Sequence, residues 1–165
     1  MTEEITHPEL NFRFDFTFTS PIEKVWACIS DYGGWGKWHS HYSECKIIGD
    51  GIDKIGAIRT ATSAKTGVTY ESVLLAKDHA EHTLVSGLVK RSPPIPWINN
   101  LVKKYRFVSI GENETRLTGT TTITPNCQVS EETLEEYEAA VIAAIKGLSG
   151  SLEEHLNSQK QSSQN

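Results

Sequence analysis

The C-terminal part of the chain carries an apolar stripe with the period of an α-helix. Ser130 stands before this stripe and is a residue type that commonly caps a helix start. The apolar residues recur three and four positions apart, at Leu134, Tyr137, Val141, Ala144, Ile145, Leu148 and Leu152. This spacing predicts a helix of about seven turns over residues 130–156, with one buried face. The preceding residues are mostly strand-like, so this helix must bury its face against a sheet.

The composition is that of one cytoplasmic domain of moderate size. The 165 residues include 21 acidic and 16 basic side chains, for a net charge of −5, which argues against a nucleic-acid partner. The densest basic patch, Lys103, Lys104 and Arg106, is interpreted as a solvated strand face. No apolar run is long enough to predict a membrane partner, and three cysteines without paired spacing indicate free thiols.

The rest of the chain predicts seven strands and two short helices. Phenylalanines alternate with polar residues over residues 11–19, which is typical of a strand with one buried face. Helical segments follow over 20–30 and 35–38. Further strands are predicted over 41–48, 57–63, 68–76, 82–90, 101–110 and 115–124. An N-terminal arm (1–9) and a disordered polar tail (158–165) flank a single domain over 10–157. The fold class is therefore α+β, an antiparallel sheet with helices on one side.

Strand alternation predicts which residues face the long helix. The inward residues are taken as Ala57, Arg59 and Ala61 on the third strand, Thr69, Glu71, Val73 and Leu75 on the fourth, Leu84, Ser86 and Leu88 on the fifth, Tyr105 and Phe107 on the sixth, and Leu117, Gly119, Thr121 and Ile123 on the last. Many of these are small, and the helix opposite them carries Ala140, Ala144 and Gly147. Side chains of this size would not fill a tightly packed core, so an internal cavity is predicted.

Arg59 and Glu71 are polar residues on this inward set. They flank a short hairpin, so one interpretation is a cross-strand ion pair that stabilises it. The functional interpretation is that one or both reach into the cavity to bind or protonate a ligand.

Two further features suggest a site. His39 and His41 are spaced so that both rings face one side of an extended segment, which suits proton transfer or hydrogen bonding at a cavity rim. A metal would need a third ligand such as Glu71, no other motif supports one, and no metal or cofactor is predicted. The proline-rich loop before Trp97 is either a lid over a pocket mouth or a hydrophobic plug.

The run Ser20-Pro21-Ile22-Glu23-Lys24-Val25-Trp26, followed by Asp31-Tyr32-Gly33-Gly34-Trp35-Gly36-Lys37-Trp38-His39, resembles the opening of the SRPBCC superfamily. It is most similar to the polyketide cyclase/dehydrase branch, related to START domains and the birch pollen allergen. The paired segments Gly56 to Thr60 and Tyr70 to Leu74 match that branch, over residues 10–156 in all. The resemblance implies a helix-grip fold: a curved seven-stranded antiparallel sheet wrapped around a long C-terminal helix, with an apolar cavity.

The resemblance also implies that His39, Arg59 and Glu71 occupy positions of pocket polar groups. The sequence lacks the gate and latch segments of the related abscisic acid receptors, so a hormone receptor is not predicted. Gly119 stands where many relatives carry Trp, which predicts a wider cavity.

The leading hypothesis is a cofactor-independent cyclase, dehydratase or isomerase acting on a hydrophobic oxygenated metabolite. His39 or Glu71 would move a proton and Arg59 would stabilise an enolate or carboxylate. The alternatives are a non-catalytic carrier of a hydrophobic ligand and an adaptor that uses the Trp97 loop, and a homodimer is also considered. The predicted ligand-binding residues are Tyr32, Trp38, His41, Ala61, Ser86, Leu88, Trp97, Tyr105, Gly119, Thr121, Tyr137, Val141 and Ala144.

Overall fold

A computed structural model describes residues 7–49, 51 and 54–163 of the chain. The strands are β1 (Leu10–Phe18), β2 (Tyr42–Ile48), β3 (Ile58–Ser63), β4 (Thr69–Asp78), β5 (Thr83–Ser92), β6 (Ile98–Gly111) and β7 (Glu114–Pro125). Helix α1 spans Ile22–Ser30, a 3₁₀ helix spans Tyr32–Lys37, and helix α2 spans Glu131–Ser162. The strands form one antiparallel sheet in the order β1-β7-β6-β5-β4-β3-β2. The helix-grip prediction is confirmed.

Helix α2 packs its apolar stripe against the inward face of the sheet. Its buried residues include Val141, Ile145, Leu148 and Leu152, which join one core cluster with the phenylalanines of β1. Burying each such Leu or Ile contributes on the order of 2 kcal/mol, so this stripe stabilises the helix far more than its intrinsic propensity does. The predicted cap is also present, since the Ser130 hydroxyl accepts a hydrogen bond from the Thr133 N–H at 3.2 Å.

The predicted disordered tail is wrong over residues 158–162, because α2 continues to Ser162. Two contacts with the end of β1 tether this extension. The Glu153 carboxylate accepts a hydrogen bond from the Thr19 N–H at 3.0 Å, and the Lys160 ammonium donates to the Thr19 carbonyl at 2.8 Å. Residues 164–165 of the tail and residues 1–6 of the predicted arm lie outside the described residues.

Helix α1 and the 3₁₀ helix brace one end of the sheet. The Trp26 indole donates to His79 Nδ1 at 3.0 Å, which joins α1 to the β4–β5 turn. The Trp35 indole donates to the Ile29 carbonyl at 3.0 Å, which fixes the 3₁₀ helix against α1. This brace positions the aromatic residues that border the cavity.

The predicted inward face of β4 is wrong. In the β3–β4 register Arg59 lies opposite Ser72, and Glu71 lies opposite the outward Thr60. Leu74 is fully buried whereas Leu75 is 45% exposed. The inward residues of β4 are therefore Tyr70, Ser72 and Leu74, not Thr69, Glu71, Val73 and Leu75. Because β4 carries apolar residues on both faces, alternation alone favoured neither choice.

Candidate functional site

A cavity of about 590 Å³ lies between the β3–β6 part of the sheet and the middle of α2. This volume is within the range of small-molecule sites. The predicted site residues that line it are His39, His41, Arg59, Ala61, Ser86, Leu88, Tyr105, Tyr137, Val141 and Ala144.

Three predicted ligand-binding residues lie behind the wall of the cavity rather than on it. Tyr32 is fully buried, with its ring against the Arg59 guanidinium. Trp38 stacks on His39 with ring centroids 5.4 Å apart, and Trp97 meets Tyr137 edge to face at 5.3 Å. These side chains support lining residues, so their predicted direct contact with a ligand is wrong for this cavity.

Gly119 and Thr121 are inward on β7, as predicted, but they lie outside the cavity. A Cβ atom at Gly119 would overlap the Phe14 ring and the Lys104 carbonyl. The space at Gly119 is thus filled by Phe14 from the neighbouring strand, and the predicted widening of the cavity is wrong. Thr121 is fully buried in the same packed region.

Glu71 faces away from the cavity. Its place opposite Thr60 puts it on the outer surface of the sheet, where Lys90 of β5 is its other neighbour in register. The predicted Arg59–Glu71 ion pair and the predicted role of Glu71 inside the cavity are both wrong. A metal site that uses Glu71 with the two histidines has no geometric basis either, and the described residues contain no cluster of three metal-binding side chains.

Arg59 is a buried cation held between aromatic rings. The guanidinium lies 4.1 Å from the ring centroids of both Tyr32 and Trp35, and its Nη1 donates to the Tyr32 carbonyl at 3.1 Å. Cation–π contacts of this kind stabilise a desolvated guanidinium and fix its plane. Arg59 is only 6% exposed but lines the cavity, so it presents a fixed positive charge to any ligand. Trp35, which also lines the cavity, was not among the site residues predicted from the sequence.

His39 is held as a neutral imidazole. Its ring stacks between Trp38 and Tyr42, with the Tyr42 ring centroid 4.1 Å away. Burial, and to a lesser extent the neighbouring His41, Arg59 and Lys103 charges, lower the pKa of His39 to about 4. The His41 N–H donates to Nδ1 at 3.4 Å, so the proton of the neutral ring resides on Nε2. At neutral pH His39 is a hydrogen-bond donor through Nε2.

Lys103 faces the cavity, so its predicted place on a solvated strand face is wrong. It lies between Ser86 and Thr121 in the β5–β6–β7 register, and it lines the cavity. Lys104 and Arg106 are exposed on the outer face, as predicted for the whole basic patch. The same strand alternation that places Tyr105 inward also places Lys103 inward. The sequence pattern therefore already indicated that Lys103 faces the cavity. Burial lowers the pKa of the Lys103 ammonium, and the Arg59 charge adds to this shift.

The sheet side of the cavity forms a polar floor, and apolar side chains line part of the side opposite it. Ser72, Ser86 and the hydroxyl-bearing ring of Tyr105 join the cations on the sheet side, and burial raises the pKa of Tyr105 so that its hydroxyl keeps its proton. Ile95 and Tyr137 line the other side, and burial raises the pKa of Tyr137 to about 12. The proline-rich loop thus contributes Pro94 and Ile95 to the cavity.

No helix in the described part of the chain is long and apolar enough to cross a membrane.

Comparison with solved structures shows the same fold. A norcoclaurine synthase point mutant from Thalictrum flavum, bound to a transition-state analogue, aligns with a TM-score of 0.73 and 12% identity over 95% of this chain and 99% of that one. A protein from Nitrosospira multiformis aligns with a TM-score of 0.71 and 18% identity over 93% and 99% of the two chains. A START superfamily protein from Mycobacterium smegmatis aligns with a TM-score of 0.69 and 13% identity over 90% and 98%.

No curated protein matches the sequence. The family model described as polyketide cyclase / dehydrase and lipid transport matches residues 10–157, which is most of the chain. This match agrees with the motifs of the first helices and with the helix-grip architecture. The chain therefore belongs to the polyketide cyclase / dehydrase and lipid transport family.

Proposed function

We propose that the protein is a cofactor-independent lyase or isomerase of the cyclase or dehydratase type, acting on a hydrophobic ligand that contains a carbonyl group. One observation carries the proposal: a neutral imidazole and a buried guanidinium line the same cavity, at His39 and Arg59. Together they provide a hydrogen-bond donor and a fixed positive charge where negative charge develops on a carbonyl oxygen.

The roles follow from the protonation states. The Nε2–H of His39 donates a hydrogen bond to the carbonyl oxygen, and Arg59 stabilises the oxyanion that forms when the adjacent carbon loses a proton. His41, whose ring meets that of His39 edge to face at 5.7 Å, is the candidate base for that proton. The resulting enolate then attacks a second carbonyl carbon to close a ring, and the alkoxide formed takes the proton back from the His41 imidazolium. Alternatively, the enolate expels a hydroxyl group from the β-carbon, and this group leaves as water with the proton that His41 returns.

The remainder of the cavity would favour such a step by holding the ligand in one conformation. Tyr137, Val141 and Ile145 of α2 face the cavity, so a ligand there would lie against apolar surface while its oxygen meets the polar floor. A bound ligand displaces water from around Arg59, which strengthens the electrostatic stabilisation of an oxyanion.

The second candidate is a carrier, since the family description includes lipid transport and the cavity suits a bound ligand without any reaction. The test begins with native mass spectrometry of protein purified from its own source and identification of a co-purified compound. That compound is then incubated with the protein in deuterium oxide, and mass spectrometry follows deuterium entry beside the carbonyl and product formation.

An enzyme should accelerate one of these changes at least about a hundredfold over buffer, and His39→Ala should remove most of this acceleration while retaining ligand affinity. Glu71→Gln is the matched control, because Glu71 lies on the opposite face of the sheet. Binding without exchange or turnover in the native protein would contradict the enzyme proposal and favour the carrier.

A further inference from the structure

The charges that line the cavity are of one sign. Arg59 and Lys103 both face inward, and Arg91, opposite the inward Tyr70, is also among the lining residues. Acidic residues outnumber basic ones by 21 to 16 in the chain, yet no Asp or Glu is among the described residues that line the cavity. The charged residues that line the cavity are therefore all basic, although the chain as a whole is acidic.

Arg59 and Lys103 both line the cavity, and small hydroxyl residues form the floor between them. Arg59 is on β3 and Lys103 on β6, so their backbones are three strand spacings apart, about 14 Å. Ser72 lies beside Arg59 on β4 and Ser86 lies beside Lys103 on β5, both directed inward. Side chains as short as serine leave open the space between the two cations, and the Arg59 charge acts on the Lys103 ammonium.

Neither cation is neutralised within the described part of the chain. Arg59 donates one hydrogen bond to a backbone carbonyl and otherwise contacts aromatic rings, and the Lys103 ammonium makes no hydrogen bond or ion pair with the described residues. Removing a cation from water without a counterion is costly, and two neighbouring cations also repel each other. A ligand that supplies a negative charge between them would remove both penalties.

We propose that Arg59, Lys103, Ser72 and Ser86 together form a carboxylate-binding subsite. The ligand is then an apolar organic acid. The inference rests on the proposed function and names its ligand class. A carboxylate has two oxygens and can accept hydrogen bonds from a guanidinium and an ammonium at once. The apolar part of the acid then extends along α2 toward Ile95 and Tyr137.

The test uses the full chain and a neutral fluorescent probe, N-phenyl-1-naphthylamine, at pH 7.5. Three competitors that share a naphthyl group and differ in their polar group are tested for displacement of the probe. They are 2-naphthylacetate, its methyl ester and 2-naphthylmethyl phosphate. The acid should displace the probe at a concentration at least about tenfold lower than the ester does, since a charge-assisted hydrogen bond stabilises a complex by that factor or more.

Variants then assign this preference to the subsite. Lys103→Met should weaken displacement by the acid about tenfold and leave displacement by the ester within about twofold, which also shows that the variant is folded. Lys104→Met is the matched control, since Lys104 is the exposed neighbour on the outer face, and it should keep the full preference. If Lys103→Met does not fold, Lys103→Gln takes its place. The ratio of acid to ester concentrations needed to displace the probe is then compared between Lys103→Gln and the native protein.

The outcomes separate this inference from the proposed function. Equal displacement by acid and ester, or an equal loss in Lys104→Met, overturns the carboxylate subsite and leaves the cavity and its proposed enzyme role intact. Displacement by the phosphate at about tenfold lower concentration than the acid overturns the choice of carboxylate. Failure of the native protein to take up the probe or the ester overturns both proposals.

Discussion

The inward face of the sheet has two halves that differ in how the space above them is filled. The packed half, defined by Phe14, Phe18, Leu117, Gly119 and Ile123 on β1 and β7, is buried against α2 and its own neighbours. The open half, defined by Arg59, Ala61, Ser72, Ser86 and Lys103 on β3 to β6, lines the cavity. Both halves belong to one sheet and face one helix.

The difference shows that the size of a residue does not by itself decide whether space remains beside it. Gly119 is the smallest inward residue, yet Phe14 of the adjacent strand fills its position. Ser86 is larger, but its inward neighbours in register are Leu74 and the long Lys103, and space remains above it. A cavity forms where no neighbouring side chain extends into the space above a small residue, as Phe14 does at Gly119.

The largest predicted effect concerns the packed half. Gly119→Ala should lower the free energy of unfolding by about 3 kcal/mol, because the new methyl group overlaps the Phe14 ring and a backbone carbonyl that cannot move aside easily. In thermal unfolding this corresponds to a Tm about 6 to 12 °C lower. Ser86→Ala in the open half is the matched control and should change the Tm by less than about 2 °C. An unchanged Tm in Gly119→Ala would mean that the halves do not differ in packing.

The next effect is a pH dependence that arises at His39. Its folded pKa, about 4, is below the unfolded value near 6.5, so the unfolded chain binds more protons between these pH values. The resulting stability is fully present above pH 6.5 and is lost as the pH falls toward 4. The loss from His39 alone is at most about 3 kcal/mol.

Urea unfolding of the native protein and His39→Gln across this pH range measures that loss. The native protein should lose more stability than the variant between pH 6.5 and 4. Parallel curves for the two proteins would contradict a neutral, buried His39.

A smaller effect, of opposite sign, is expected at Lys103. In ligand-free protein Lys103→Met should raise the free energy of unfolding by on the order of 1 kcal/mol, since it removes a half-buried cation without a counterion beside Arg59. Lys104→Met, on the exposed face, should give no comparable gain. Thermal unfolding of both variants at low ionic strength measures the difference, and a destabilised Lys103→Met would indicate that Lys103 has a compensating partner.

The fold was predictable because its main signals are periodic. The stripe of α2 and the alternating phenylalanines of β1 each indicate one buried face, and both faces meet in the core. The end of α2 was not predictable from its polar residues, because tertiary hydrogen bonds extend it: the Thr19 N–H donates to Glu153, and Lys160 donates to the Thr19 carbonyl.

The site was predictable only in part. Arg59 and His39 were identified from strand alternation and motif, and the structure places both on the cavity. The predicted inward direction of Glu71 was wrong, because β4 carries apolar residues on both faces. Trp35 was missed because its contact with Arg59 joins segments that are distant in sequence. Lys103 was missed because composition favoured a solvated basic patch, although alternation with Tyr105 indicated the opposite.

The central claim is that the open half encloses space for one ligand, and a binding titration tests it most directly. The native protein and Ser86→Leu are titrated with N-phenyl-1-naphthylamine, and the bound stoichiometry and Tm are measured for each. The account predicts one probe molecule per native chain, and loss of binding in Ser86→Leu with a stability change below about 1.5 kcal/mol, because the leucine fills open space. Absence of binding to the native protein, or equal binding to both proteins, would contradict it.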